Sequence, residues 1–234
     1  HLGVLKESER RRLVALAPAG VKRLSAQLRV SVQRGAGRAA GYSDEAYAQA
    51  GATLVEHREE ILRGCDLVLG HDSHYRGEDI GGPKTFIGFL NVLNERDVVD
   101  PYRRPGITLH SLDLIPRTTL AQAMDVLSSV ASISGYQAVL LAAERSLATV
   151  PMITSAGGTL RPARFLIMGA GVAGLQAIAT ARRLGAIVRA YDVRSASRTE
   201  VESLGATFIE VEGAVEDRKA GGYAVEQTPE HLER

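Results

Sequence analysis

At 234 residues the chain is long enough to bury a full core, as one large domain or two small ones. Its 45% hydrophobic and 24% charged residues are ordinary for a soluble globular protein. A formal net charge of +1, with no Lys/Arg block free of acidic neighbours, argues against a nucleic-acid surface; the single cysteine, Cys65, rules out an internal disulfide and fits a reducing compartment.

Leu2 to Leu5 reads as a first short strand. Lys6, Glu7, Glu9 and Arg10 to Arg12 then interrupt any apolar run, so no signal peptide is expected. Pro18 suits the first turn of a helix with Val21, Leu24 and Leu28 on its apolar face, and Leu28, Val30 and Val32 alternate as a strand. The glycines of Arg34 to Gly41 resemble a phosphate loop, but their G-x-G-x-x-x-G spacing is wrong and Ser43 looks like the cap of the next helix. No acid ends a strand about 20 residues later either, so a glycine-rich connection is the better reading. A helix over Asp44–Ala50, a strand at Thr53–Val55, a short helix around Ile61 and Leu62 and a strand at Asp66–Leu69 follow. Gly70 to Lys84 is a loop; Thr85–Leu90 and Ile107–His110 are strands, with Asn94–Asp100 helical between them and ended before Pro101. Alternation this regular predicts a parallel sheet with helices on both faces.

Thr118 to Arg145 contains no proline and reads as one long helix, or two joined near Gly135. Val150 to Pro162 is the turn into a buried strand, Phe165 to Met168, which ends in Gly169-Ala170-Gly171-Val172-Ala173-Gly174. A helix follows at once, and a second strand, Ala186 to Tyr191, delivers Asp192, 18 residues after Gly174. Each residue type has a physical task here. Gly169 allows the tight turn, Gly171 lets the backbone approach a pyrophosphate, and Gly174 lets the helix pack close to the strand. The helix N-terminus offers unpaired N–H groups and partial positive charge to phosphates. Asp192 can accept both ribose hydroxyls of an adenosine and would repel a 2′-phosphate, which favours NAD over NADP. The stretch 165–181 is 17 residues without a charge, at the short limit for a membrane span, but its glycine spacing favours strand-turn-helix, and no transmembrane segment is expected.

Ala196–Leu204 is helical and Thr207–Val211 a third strand, after which Glu212 to Arg234 is polar. The expected fold is therefore α/β, with two doubly wound parallel-sheet (Rossmann-like) domains joined by a long helix and the second truncated. The boundaries are 1–117 for the N-terminal domain, 118–148 for the connecting segment and 149–234 for the dinucleotide-binding domain. A dinucleotide fold has two halves and only the first is read here, so the natural protein is expected to be longer.

Among six histidines, His71 and His74 are three apart, but no third ligand is evident and no metal site is expected. Gln122, Asp125 and Ser128, at i, i+3 and i+6, would share one helix face, with Arg117 just ahead and Leu120, Met124, Leu127 and Ala131 opposite. By periodicity alone this is only the wet side of an amphipathic helix.

A resemblance adds to that reading. Pro116-Arg117, Ala121 to Asp125, Leu127-Ser128-Ser129, Gly135-Tyr136, Gly169 to Ala181, Tyr191 to Arg194, Val201 to Ala206 and Ala220 to Ala224 resemble the NAD(H)-binding first domain of proton-translocating nicotinamide nucleotide transhydrogenase. Gly3-Val4, Lys6-Glu7 and Gly41 to Glu45 are similar too, while 46–115 match loosely. The resemblance implies hydride exchange between NAD(H) here and NADP(H) on a partner domain, coupled to proton movement by a membrane-spanning domain. It implies a homodimer lying peripherally at the cytoplasmic face of the inner membrane, or the matrix face if mitochondrial. It places the nicotinamide among Arg117, Gln122, Asp125 and Ser128. It assigns cofactor contacts to Gly169, Gly171, Val172, Ala173, Gly174, Asp192, Val193 and Arg194, and a mobile lid to Gly221, Gly222 and Tyr223. Two other readings compete. Alanine dehydrogenase resembles this family in fold but would bring a Lys and a His where Gly70-His71-Asp72 and Asn91 stand. The other is a non-catalytic NAD-binding or regulatory module.

Overall fold

The computed structural model describes residues 1–8, 12–70, 81–116, 118–211, 225, 228 and 229. The chain divides into two compact units, His1–Val126 and Leu127–Arg234.

The first unit is built on β1 (Leu2–Val4), β2 (Val30–Gln33), β3 (Thr53–Val55), β4 (Leu67–Gly70), β5 (Lys84–Gly88) and β6 (Ile107–Ser111). Every pairing is parallel, in the order β3-β2-β1-β4-β5-β6, so the chain winds outward in one direction and then restarts in the other. Successive side chains of a strand face opposite ways. Leu2 and Val4 therefore join Val21, Val30, Val32 and Tyr47 on one face, where α1 (Pro18–Leu24) and α2 (Asp44–Gln49) pack. Leu5 joins Ile61, Leu62, Val68, Phe86 and Tyr102 in a second core under α3 (Arg58–Gly64). Gly3 points at α3. A Cβ there would overlap Ile61 and lie 2.9 Å from the Cys65 sulfur, so this strand position is vacated for the helix. The buried Lys84 amine donates to the Leu62 and Cys65 carbonyls, satisfying the α3 C-terminus from the neighbouring strand.

The second unit holds α4 (Val126–Arg145) from Leu127 onward and a hairpin of β7 (Ile153–Ser155) and β8 (Gly158–Leu160). Then come β9 (Arg164–Met168), α5 (Val172–Arg183), β10 (Ile187–Tyr191), α6 (Ser197–Ser203) and β11 (Thr207–Ile209), with the three strands parallel in the order β11-β10-β9. Its core is rich in alanine (Ala170, Ala177, Ala181, Ala186, Ala190, Ala206), which lets α5 lie close on the sheet beside Ile178, Val188 and Val201. The Rossmann-like α/β architecture is thus the one the sequence predicts, complete in strand number in the first unit and three-stranded in the second among the described residues.

Several expectations change. The helix expected to carry Leu28 on its apolar face ends at Leu24. The helix predicted from Thr118 is broken at Asp125. Residues Gln122–Met124 form a 3-10 turn, Asp125 leaves it with ψ of 84°, and α4 starts only at Val126. The turn before it is local: the Thr118 carbonyl and hydroxyl both accept from the Ala121 N–H, which competes with helix. Gly135 lies inside a continuous α4 and marks no joint. The segment expected as a helix ending before Pro101 is a 3-10 stretch, Arg96–Tyr102, that runs through it, anchored by the Tyr102 ring edge-on to Phe86 at 4.9 Å. Phe165 to Met168, expected as a buried strand, is half-buried on the face of Phe165 and Ile167, while Leu166 and Met168 are exposed on the other. Val150 to Pro162, read as a simple turn, contains the β7–β8 hairpin.

Candidate functional site

The glycine turn lies at the C-terminal end of β9. Gly169 has φ of +93° and its N–H donates to the Tyr191 carbonyl at 2.7 Å, which ties the turn to the end of β10. That left-handed backbone is the conformation in which a Cβ costs most. Ala170 turns inward and is buried. Gly171 is the N-cap of α5, and a Cβ on it would meet nothing within 4 Å, so the outer side of the turn is open. Among the described residues no side chain caps α5, which leaves the N–H groups of its first turn, Val172, Ala173 and Gly174, for an anion. Gly174 serves a tighter contact than the one expected. Its missing Cβ would overlap the Gly169 carbonyl oxygen and sit 2.8 Å from that carbon, against 3.7 Å to Ile167 on the strand. The glycine thus lets the helix fold back on the turn itself.

Asp192 follows β10 and is buried. Its Oδ2 accepts from the Ala170 N–H at 2.6 Å and from Arg194 Nη2 at 2.8 Å. Its Oδ1 accepts from the Arg194 backbone N–H and from Arg194 Nε, both at 2.8 Å. Burial pushes this carboxyl up, but the Arg194 side chain, the Ala170 and Arg194 N–H groups and the guanidinium charge together hold it below the usual range. Arg194 is raised in turn, chiefly by the hydrogen bonds to Asp192. The carboxylate is therefore ionised and pinned to the glycine turn. Val193 lies half-buried between the two partners.

α4 reaches the same turn from the other side. A Cβ at the buried Gly135 would overlap the Ala173 carbonyl oxygen and lie 2.8 Å from its carbon, and Val139 enters the second unit's core one turn later. α4 is long and apolar enough to cross a membrane by length and composition, with Gly135 and Val139 its buried residues. The stretch 165–181, weighed for that role from sequence, is β9, the turn and most of α5.

The polar set assigned to the nicotinamide is divided. Gln122 and Asp125 belong to the first unit, Gln122 exposed on the 3-10 turn and Asp125 at its end. Ser128 is in the first turn of α4, in the second unit, where its carbonyl accepts from the Ser132 hydroxyl at 3.1 Å. The break at Asp125 means that these three do not share one helix face. Leu120 and Met124, expected on an apolar face, are exposed (94% and 58%). Arg117, Gly221, Gly222 and Tyr223 lie outside the described residues, as do His71, Asp72 and His74.

In the first unit the glycine loop after β2 spends its groups internally. The Gly35 N–H donates to Asp44, Ser43 caps α2 through the Ala46 N–H, and a Cβ on Gly37 would lie 2.5 Å from the Tyr47 ring. Sequence reasoning missed Asp113, just past β6. It accepts from the N–H groups of Leu90, Asn91 and Val92 at 3.1–3.2 Å and from the Ser111 hydroxyl. Burial raises this carboxyl, yet those donors outweigh it and its pKa is lowered. It fixes the loop after β5, where Asn91 has φ of +56°. The signal available was an Asp two residues past a strand end, a weak one.

Two family models cover nearly all of the chain. The one described as alanine dehydrogenase/PNT, N-terminal domain, matches residues 3–134, and its C-terminal counterpart matches 138–233. The chain is 40% identical over 227 residues to an NAD(P) transhydrogenase subunit alpha polypeptide of Rhodospirillum rubrum, covering 93% of this chain and 59% of that one. The crystal structure of transhydrogenase from Sinorhizobium meliloti superposes with a TM-score of 0.84 at 39% identity, over 90% of this chain and 62% of that one. An L-alanine dehydrogenase structure, 22% identical, shares the fold at a TM-score of 0.76, over 91% of this chain and 61% of that one. The chain thus spans less than two thirds of the length of the relatives it matches. These relatives bear out the resemblance carried by residues 116–224, and this chain belongs to the alanine dehydrogenase/PNT family.

Proposed function

We propose that this chain is the NAD(H)-binding component of a proton-translocating NAD(P) transhydrogenase, passing hydride from NADH to NADP⁺ held on a partner domain. The observation that carries this reading is the uncapped N-terminus of α5 behind the Gly169 turn, with the ionised Asp192 pinned beside it. The 40% identity to a transhydrogenase alpha subunit supports this reaction over the others of the family. NADH supplies the hydride. The chain's own role is to bind and orient. Val172, Ala173 and Gly174 offer N–H groups to the pyrophosphate, Asp192 holds the adenosine ribose, and Arg117, Gln122, Asp125 and Ser128 aim the nicotinamide. Hydride exchange between two nicotinamides releases no proton at the reacting carbons. A site without His or Lys as base therefore suits it, and alignment with exclusion of water does the work.

Partners in this reading are the NADP-binding and membrane-spanning domains of the transhydrogenase, with this chain peripheral to the membrane and paired as a homodimer. The exposed Ile133, Tyr136 and Leu141 on α4 and Met152, Ile153 and Leu160 around the hairpin supply apolar surface for association. The test mixes the protein with an NADP-binding partner domain, NADPH and an NAD analogue whose reduced form absorbs separately. Reduction of the analogue is expected. Asp125→Asn and Arg117→Ala should slow it by about 100-fold, the cost of misplacing reacting groups, with nucleotide affinity nearly unchanged. Loss of affinity without a slower transfer step would remove these residues from the nicotinamide site.

A further inference from the structure

The four hydrogen bonds that Asp192 accepts equal the capacity of an ionised carboxylate, about four lone-pair sites. Two of the donors, the backbone N–H groups of Ala170 and Arg194, are fixed by the fold. The other two, Nε and Nη2 of Arg194, are on a side chain that is 28% exposed and turns about its own single bonds. A ribose diol needs two acceptor positions on this carboxylate, so the diol and the guanidinium compete for the same two. We propose that Arg194 is a displaceable counter-ion holding the place of the adenosine ribose hydroxyls, and that its release tunes the choice between NADH and NADPH. This rests on the dinucleotide reading of the site given above.

Binding exchanges a charge-assisted, two-point pair for two neutral hydroxyl donors, while the backbone N–H groups keep the carboxylate paired throughout. For an unphosphorylated ribose the guanidinium is a competitor and weakens affinity. Once displaced it stays near, because its backbone is two residues from Asp192 and its own N–H remains on that carboxylate. Glu200 on α6 is a second acid whose charge attracts it. At the sugar's edge the freed cation would offset the repulsion between Asp192 and a 2′-phosphate. Asp192 alone would discriminate more strongly against NADPH than the pair does.

Equilibrium binding of NADH and of NADPH to the wild-type chain, Arg194→Met and Arg194→Lys tests this, with folding checked by circular dichroism. In R194M, NADH should bind more tightly and NADPH more weakly, widening the ratio of their dissociation constants by about tenfold. R194K keeps the charge but not the planar fork. It should tighten NADH while retaining wild-type NADPH binding, and it serves as the second variant if R194M misfolds. Parallel loss of both nucleotides would make Arg194 a brace for the loop and overturn the proposal, as would an unchanged NADH affinity. Failure of NADH to bind even the folded wild-type chain is a separate outcome, which overturns the dinucleotide reading and this inference with it.

Discussion

Asp113 and Asp192 solve one problem in two ways. Each is a carboxylate lifted by partial burial and brought below its ordinary value by the donors around it, backbone N–H groups and a hydroxyl for Asp113, backbone N–H groups and a guanidinium for Asp192. For Asp113 the sign of the linkage is definite. The folded carboxyl titrates below its unfolded value of 3.8, so its stabilisation is complete above that pH and is lost as pH falls through the lower, folded value. Asp113→Asn is expected to cost about 1–3 kcal/mol at neutral pH, the range for leaving hydrogen-bonded groups without a charged acceptor. Chemical denaturation from pH 6 to pH 3 should show a shallower acid loss in the variant. An equally steep loss would mean that other carboxyls carry it. Of the two, only Asp192 was legible beforehand, because a glycine fingerprint stands 18 residues ahead of it. Asp113 binds a loop 21 to 23 residues upstream, and no local pattern announces so distant a partner. Arg194 was expected as a cofactor contact by resemblance. Its pairing with Asp192 required the conformation after β10.

At the scale of elements, most strands and helices with clear periodicity were read to within a residue or two, α1 being an exception that stops at Leu24, four residues short of the Leu28 expected on its face. Thr118 to Arg145 has no proline and a helical composition, yet the chain turns at Asp125, one residue before the first unit ends at Val126. The β7–β8 hairpin has strands of three exposed residues each, too short and too wet to show alternation. Gly135 is the most informative single position. Propensity alone says that Gly135→Ala should stabilise α4 by about 1 kcal/mol. The Ala173 carbonyl occupies the space of the new methyl group, and overpacking of this kind costs about 1–3 kcal/mol. The packing effect should win, because its obstacle is backbone in the first turn of α5. A lower melting temperature with weakened NADH binding is the expected outcome; a rise in melting temperature would show that α4 can shift away freely.

Taken whole, the two units are unequal. Among the described residues the first has a sheet of six parallel strands with packed cores on both faces, and the second has a parallel sheet of three strands, one face covered by α5 and α6 and the other showing Leu166, Met168 (74% exposed) and Ile187. A segment comprising residues 1–125 should therefore melt cooperatively on its own, as small single domains do. A broad, non-cooperative transition in calorimetry would contradict this. The two-unit organisation was legible because strand and helix signals alternate throughout, whereas the exposure of one sheet face depends on what covers it, which periodicity does not encode. The vacated position on β1 carries a consequence for how such a chain can change over generations. Since Ile61 and the Cys65 sulfur fill the room beside Gly3, a library selected only for survival would admit a methyl group at position 3 chiefly in clones that had trimmed position 61 or 65. Sites about sixty residues apart would then drift as a pair, a mark of spatial contact recoverable from a population of sequences without coordinates.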